Sequence, residues 1–166
     1  GNRAVSSSSG SADVLSSLGV KIDLSLEQSE ACLNETGMAF LFAPKHHSSM
    51  KHAVAPRQEI GIRTLFNVLG PLSNPAFADG QVLGVFAPEL TEKLAGVLLN
   101  LGLKRGFVVH GGDGLDEITL TTYTKVTEIH EGWQKTYYIQ PEDFGLTRCA
   151  LEELKGGDAR ENAALI

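Results

Sequence analysis

Apolar residues recur along this chain in two rhythms, one of about 3.6 residues and one of 2. Val14, Leu15 and Leu18 share one helical face after a polar opening, and Gly19 is placed to stop that helix. Ser25 is a good N-cap for a helix over about 26–35, with Glu27 and Gln28 in its first turn, Leu26 and Cys32 or Leu33 on its apolar face, and Gly37 at its end. The apolar run at 38–42 predicts a short buried strand, and 45–70 is mostly helical in pattern with a break at Pro56. A turn-rich loop at 70–75 leads to a strand at 82–86. Pro88 then opens an amphipathic helix marked by Leu90, Leu94, Val97, Leu98 and Leu101 and closed by Gly102. A third strand at 106–110 runs into Gly111-Gly112-Asp113-Gly114.

Beyond residue 121 the rhythm shortens. Two β-branched and aromatic runs, 122–129 and 133–139, flank Glu131-Gly132 and predict a hairpin. A loop from Pro141, a short turn at 151–154 and a helix after Asp158 complete the chain. Strands alternating with helices over 38–110 predict an α/β fold: a mostly parallel mixed sheet flanked by helices, with a β-hairpin near the C-terminal part. The length, 166 residues, suits one domain, and no internal repeat is present.

Composition narrows the class. Hydrophobic residues at 42% and charged residues at 20% exclude a disordered chain and a coiled coil. Eighteen glycines predict tight turns or backbone that approaches a ligand closely. No apolar run approaches the ~18 residues of a membrane span. Cys32 and Cys149 stand far apart without a C-x-x-C, which fits a reduced cytoplasmic setting. A net charge of −6 argues against a nonspecific nucleic-acid binder but not against a small anionic substrate.

Three stretches could carry chemistry. Residues 1–11 join glycines, four consecutive hydroxyls and Arg3 ahead of a helix N-terminus, a setting that favours phosphate; the competing reading is a flexible Ser-rich cap. Asp116 and Glu117 follow a strand and could hold Mg²⁺, with Asp113 as a turn residue; the competing reading is an exposed acidic turn. The third stretch contains His46, His47, Lys51, His52, Arg57 and Arg63. His46 and His52 lie about 240° apart on a helix, so they make no metal pair, whereas Arg57 after Pro56 could grip a carboxylate bidentately. Neither a P-loop nor an intact dinucleotide-binding glycine pattern is present, and no Ser/His/Asp spacing stands out.

Taken together and in order, GNRAVSSSSGSADVLSSLG at 1–19, FLFAPKHHSSMKHAVAPRQEIGIRTLFNVLGPLSNPA at 40–76 and HGGDGLDEITL at 110–120 resemble the anthranilate phosphoribosyltransferase family. The resemblance extends through PEDFGL at 141–146 and LKGGDARENA at 154–163. It implies the large α/β domain that phosphoribosyltransferases of this kind share with nucleoside phosphorylases. It also implies Mg²⁺-dependent transfer of a phosphoribosyl group from phosphoribosyl pyrophosphate to the amine of anthranilate, a step of tryptophan biosynthesis. By resemblance, Gly1, Asn2, Arg3, Ala4, Val5, Ser6, Ser7 and Ser11 contact phosphoribosyl pyrophosphate. Asn2, Arg57 and His46 contact anthranilate, and Asp116 and Glu117 hold Mg²⁺. No general base is required, because an aromatic amine is already a nucleophile.

The family further has a Gly-rich pyrophosphate loop, an N-terminal helical domain that makes a cytoplasmic homodimer, and C-terminal helices. None has a counterpart in these residues, so 1–166 reads as an incomplete α/β domain, expected to have little activity alone. Alternatives are a pyrimidine-type nucleoside phosphorylase and a non-catalytic nucleic-acid-binding relative. The retained Arg57, Asp116 and Glu117 argue against the second.

Overall fold

The computed structural model describes residues 1–3, 8–46 and 66–166. Its elements run α1 (Ser11–Ser17), α2 (Leu26–Thr36), α3 (Ala43–His46), α4 (Phe66–Leu72), β1 (Gly80–Gly84), α5 (Leu90–Asn100), β2 (Arg105–Gly111), β3 (Thr124–His130), β4 (Trp133–Ile139) and α6 (Ala159–Leu165). Short 3-10 turns occupy Pro141–Phe144 and Leu151–Leu154. The chain forms two compact units, one of Gly1–Thr64 with Lys155–Ile166 and one of Leu65–Leu154.

The described elements of the first unit are helices and turns, and their local signals are those of the sequence. Ser25 caps α2 by accepting from the Gln28 N–H at 3.2 Å, while Gln28 Oε1 accepts from the Ser25 N–H at 3.0 Å, a reciprocal capping box. Gly37 ends α2 at φ 77°, a conformation other residues avoid. Helix α1 packs against α6, so the two ends of the described chain build one unit. The expected strand at 38–42 is not formed. Among the described residues its backbone meets a distant segment at one point, where the Gly1 amine donates to the Leu41 carbonyl beside the Ala43 N–H donating to the Gly1 carbonyl, both at 2.9 Å, while the Phe42 carbonyl accepts N–H groups of α3. One paired residue makes no ladder, and the aromatic side chains pack on the chain start instead: Phe40 lies against Gly1 and Phe42 under Arg3.

The second unit holds a four-stranded sheet in the order β1-β2-β3-β4. β1 and β2 are parallel, joined across α5; β2–β3 and β3–β4 are antiparallel. The sheet is mixed and flanked by helices, as the patterning predicts, but it is not mostly parallel: one pairing of the three is parallel, because the 38–42 run adds no strand and β3 and β4 both pair antiparallel. β1 starts at Gly80, two residues earlier than its apolar run, because Gly80 and Gln81 already pair with Arg105 and Gly106. The predicted hairpin turns at Glu131 (φ 44°) and Gly132 (φ 91°), the doubly left-handed geometry that suits a two-residue connection. α5 lays Leu94, Ala95 and Leu98 on Leu83, Val85, Val108 and Ile129, and this is the core. Between α5 and β3, Lys125 bridges to Glu92 at 2.8 Å and to the Pro88 carbonyl at 3.0 Å.

The expected loop at 70–75 begins later than the sequence suggests, since α4 runs through Gly70 and Pro71 to Leu72. A proline in the last turn forfeits only one helical bond. The Pro71 carbonyl is satisfied by Gln81 Nε2 at 3.0 Å, and the Gly70 carbonyl by the Ser73 N–H at 3.2 Å.

Candidate functional site

The acidic loop starts where β2 ends. The Gly111 N–H donates to the Leu115 carbonyl at 2.8 Å, the Gly114 N–H to the Gly111 carbonyl at 2.9 Å, and the Gly112 N–H to the Tyr123 carbonyl at 2.8 Å. Gly114 takes φ 91°, the turn geometry that favours glycine. Asp113 is the turn residue, as expected, and it organises the loop from inside. Its carboxylate accepts the hydroxyls of both Thr119 and Thr121 and the Leu115 N–H at 3.1 Å. Partial desolvation pushes the Asp113 carboxyl upward, but these donors outweigh it and hold the group below its ordinary value. Tyr123 closes the loop: its ring lies on Gly112, where a Cβ would come within 2.7 Å of it, and meets Tyr138 edge-on at 5.5 Å.

Asp116 and Glu117, further along the same loop, are exposed. Their backbone is seated on β1. The Asp116 carbonyl occupies the space a side chain at Gly84 would need. Because β1 and β2 are parallel, this seat lies at the carboxyl ends of both strands, where open α/β sheets bind ligands. A cleft of about 420 Å³ opens there, floored by Val82, Leu83 and Val109, walled by Pro71 and Ile118, and edged by both carboxylates. Partial desolvation, then repulsion from Asp116, raises the Glu117 carboxyl above its ordinary value. The exposed side chain keeps that effect modest in energy. A cation relieves the repulsion between the two. Among the described residues no group of three or more acidic, His or Cys side chains converges. Two carboxylates fit Mg²⁺, which keeps several waters and takes its remaining oxygens from substrate phosphates.

In the first unit, residues 1–3 and 8–11 surround the start of α1. The Asn2 carbonyl accepts the Ala12 N–H at 3.1 Å, and Asn2 Oδ1 accepts the Arg3 N–H at 2.9 Å. One donor at the helix start, read from sequence as open to phosphate, is therefore engaged by the chain itself. Arg3 pairs with Asp13 at 2.9 Å and lies 6.0 Å above the Phe42 ring, with a largely exposed guanidinium. Ser11 lies within 3.5 Å of the Asn2 carbonyl. Gly1 is required by close approach, since a Cβ there would collide with the Phe40 ring. Gly1, Asn2, Arg3 and Ser11 are thus gathered in one place.

His46 ends α3, its N–H bonded to the Phe42 carbonyl at 3.3 Å. Ala4, Val5, Ser6 and Ser7 lie outside the described residues, as do Arg57, Arg63, His47, Lys51 and His52. Three supports of these loops carry no local signal in the sequence. Gly84 seats Asp116, Thr119 and Thr121 fix Asp113, and Asn162 reaches Ser9. Each works across a distance that local patterning does not encode; only the matching ENA of 161–163 marked the third.

The family described as "Glycosyl transferase family, a/b domain" matches residues 1–166. The anthranilate phosphoribosyltransferase of Trichlorobacter lovleyi is 60% identical over 166 residues, which is 100% of this chain and 48% of that protein. The crystal structure of anthranilate phosphoribosyltransferase from Thermus thermophilus superposes with a TM-score of 0.91 at 49% identity, covering 99% of this chain and 48% of that one. The Saccharomyces cerevisiae anthranilate phosphoribosyltransferase, solved in complex with PRPP and Mg, gives 0.89 at 32% identity, covering 99% and 45%. The chain spans about half the length of the curated relatives it matches.

Proposed function

The chain belongs to the glycosyl transferase family, a/b domain, and from that premise we propose that the full protein transfers a phosphoribosyl group from phosphoribosyl pyrophosphate to the amine of anthranilate. The products are phosphoribosylanthranilate and pyrophosphate, within tryptophan biosynthesis. The observation that carries this reading is the Asp116–Glu117 pair, seated on Gly84 at the carboxyl ends of β1 and β2 in the loop whose turn Asp113 organises. The 60% identical relative bears the name of that activity, and a solved relative binds PRPP and Mg.

Asp116 and Glu117 would hold Mg²⁺, which supplies Lewis-acid neutralisation of pyrophosphate oxygens as the C–O bond breaks. The chain's own residues do the rest. Gly1, Asn2, Arg3 and Ser11, with Ala4, Val5, Ser6 and Ser7, bind the phosphoribosyl pyrophosphate. Asn2 and Arg57 orient anthranilate, the guanidinium of Arg57 taking its carboxylate, and His46 borders its path. An aromatic amine attacks without a strong general base. The same reading takes the protein as a cytoplasmic homodimer, which sedimentation of the full protein tests.

The experiment is an anthranilate-consumption assay on the full-length protein with phosphoribosyl pyrophosphate, run beside thymidine and uridine phosphorolysis. Anthranilate turnover that needs Mg²⁺ is expected. Replacing Asp116 by Asn raises the Mg²⁺ concentration for half-maximal rate about tenfold, the weight of one lost charge-assisted contact. Phosphorolysis without anthranilate turnover would sink the proposal.

A further inference from the structure

The most distant hydrogen bond in the described structure joins α6 to the serine run. Asn162 Nδ2 donates to Ser9 Oγ at 2.7 Å, across 153 positions. The same nitrogen donates to the Gly157 carbonyl at 3.1 Å, and Asn162 Oδ1 accepts the Gly157 N–H at 2.8 Å. Ser8 Oγ donates to that same Gly157 carbonyl at 2.9 Å. Both amide hydrogens of Asn162 and one face of its oxygen are therefore engaged, which fixes the side chain in one rotamer. The site is built around that rotamer: a Cβ on Gly156 would come within 2.5 Å of Asn162 Oδ1, so a side chain there displaces it. The helix carrying Asn162 is itself anchored, because Asp158 accepts the N–H groups of Arg160 and Glu161 at 2.8 and 2.9 Å while Glu161 Oε2 accepts the Asp158 N–H at 2.8 Å.

We infer that Asn162 is a positioning residue for the binding of phosphoribosyl pyrophosphate: it fixes Ser9 directly, and Ser8 through the Gly157 carbonyl that both bond, just ahead of α1. The inference rests on the function proposed above. Asn162 touches no substrate in it. It acts through Ser9, at the point where the serine run turns into Gly10 and α1. With Ser9 held there, less ordering is left to be done when the polyanionic ligand binds, and that difference falls on affinity for this one substrate.

The test uses the full-length protein with Asn162→Ala, Ser9→Ala, the double variant and Ser9→Thr. KM for phosphoribosyl pyrophosphate is expected to rise about tenfold in each alanine variant, the weight of one hydrogen bond to an ordered loop. The double variant rises no further. KM for anthranilate and kcat stay within about twofold, and Ser9→Thr, which keeps the accepting oxygen, behaves as the parent. Ser9→Ala removes a single oxygen, so the question stays open to measurement if Asn162→Ala fails to fold. A lowered melting temperature with unchanged KM makes Asn162 a structural staple and overturns the inference. Multiplying effects in the double variant overturn it too, since the residues would then act separately. An unaltered protein that does not turn over phosphoribosyl pyrophosphate overturns the proposed function and this inference with it; turnover with variants unchanged in KM overturns this inference alone.

Discussion

The carbonyl oxygen of Asp116 rests on the α-carbon of Gly84, in space that any side chain at residue 84 would claim. The obstacle is backbone on both sides, so no rotamer change relieves it. Gly84→Ala must push the acidic loop off β1. A cost of about 1–3 kcal/mol is expected, as for overpacking elsewhere in well-packed proteins. Urea denaturation measures it, and a Mg²⁺ titration of the full-length enzyme should show weaker metal dependence together with the stability loss. A variant with parental stability and metal response would show that the loop does not need its seat.

Asp113 serves the loop as an acceptor. Asp113→Asn keeps the shape but turns part of the carboxylate into a donor facing two hydroxyls. Loss of about 1–2 kcal/mol of stability is expected. The folded carboxyl titrates below its ordinary value, so its contribution is complete above the usual carboxylate range and fades as pH falls through the lowered value. The variant's stability should therefore converge on the parent's in acid. A gap that stays constant from neutral to acid pH would contradict the carboxylate's role.

Glu92 is held at about 2, first by the ammonium of Lys125 and against the opposing pull of partial burial. Taken whole, a shift from 4.5 to about 2 corresponds to roughly 3 kcal/mol. The Glu92 side chain is 41% exposed, and solvent screening reduces that to about 1. Because the folded value is the lower one, this stability is present above pH 4.5 and is lost as pH falls toward 2. In Lys125→Met the acid limb of the stability–pH curve should flatten over that interval, read by thermal melts from pH 2 to 6. An unchanged acid limb would mean the pair adds nothing.

Glu131 is an unfavourable residue at φ 44°, where Asn is at ease. Its contact with Arg105, at 3.8 Å between two exposed side chains, is worth little. Glu131→Asn should stabilise the protein by about 0.5–1 kcal/mol. Gly132→Ala should cost about 1–2 kcal/mol, because φ 91° strains any residue with a Cβ. Opposite signs at adjacent positions make a sharp check by denaturant midpoints. A destabilised Glu131→Asn would show that the turn depends on the glutamate.

Most of what was legible in the sequence acts over four residues or fewer. Ser25 and Gln28 cap each other, Gly37 and Gly102 end helices at positive φ, and Glu131-Gly132 turns a hairpin. The 38–42 run forms no strand, because an apolar segment becomes one only when a partner strand lies beside it, and composition carries no partner. Within the site, Asp113 as turn residue and the outward Asp116–Glu117 pair were readable from their place after β2. What holds them was not. Gly84 lies 32 positions before Asp116 and reads as an ordinary glycine near the end of a strand, while Thr119 and Thr121 read as hydroxyls in a polar loop.

The bond from Ser9 to Asn162 also sets a timetable. A ribosome adding ~5–20 residues per second needs on the order of 8–30 s to travel the 153 positions between them. Late in that interval, once Ile139 has been made, the sheet of Leu65–Leu154 has all its strands while α1 still lacks α6 to pack on. Within these residues the strands of the sheet are therefore made before α1 can meet α6, and Ser9 gains its partner only after them.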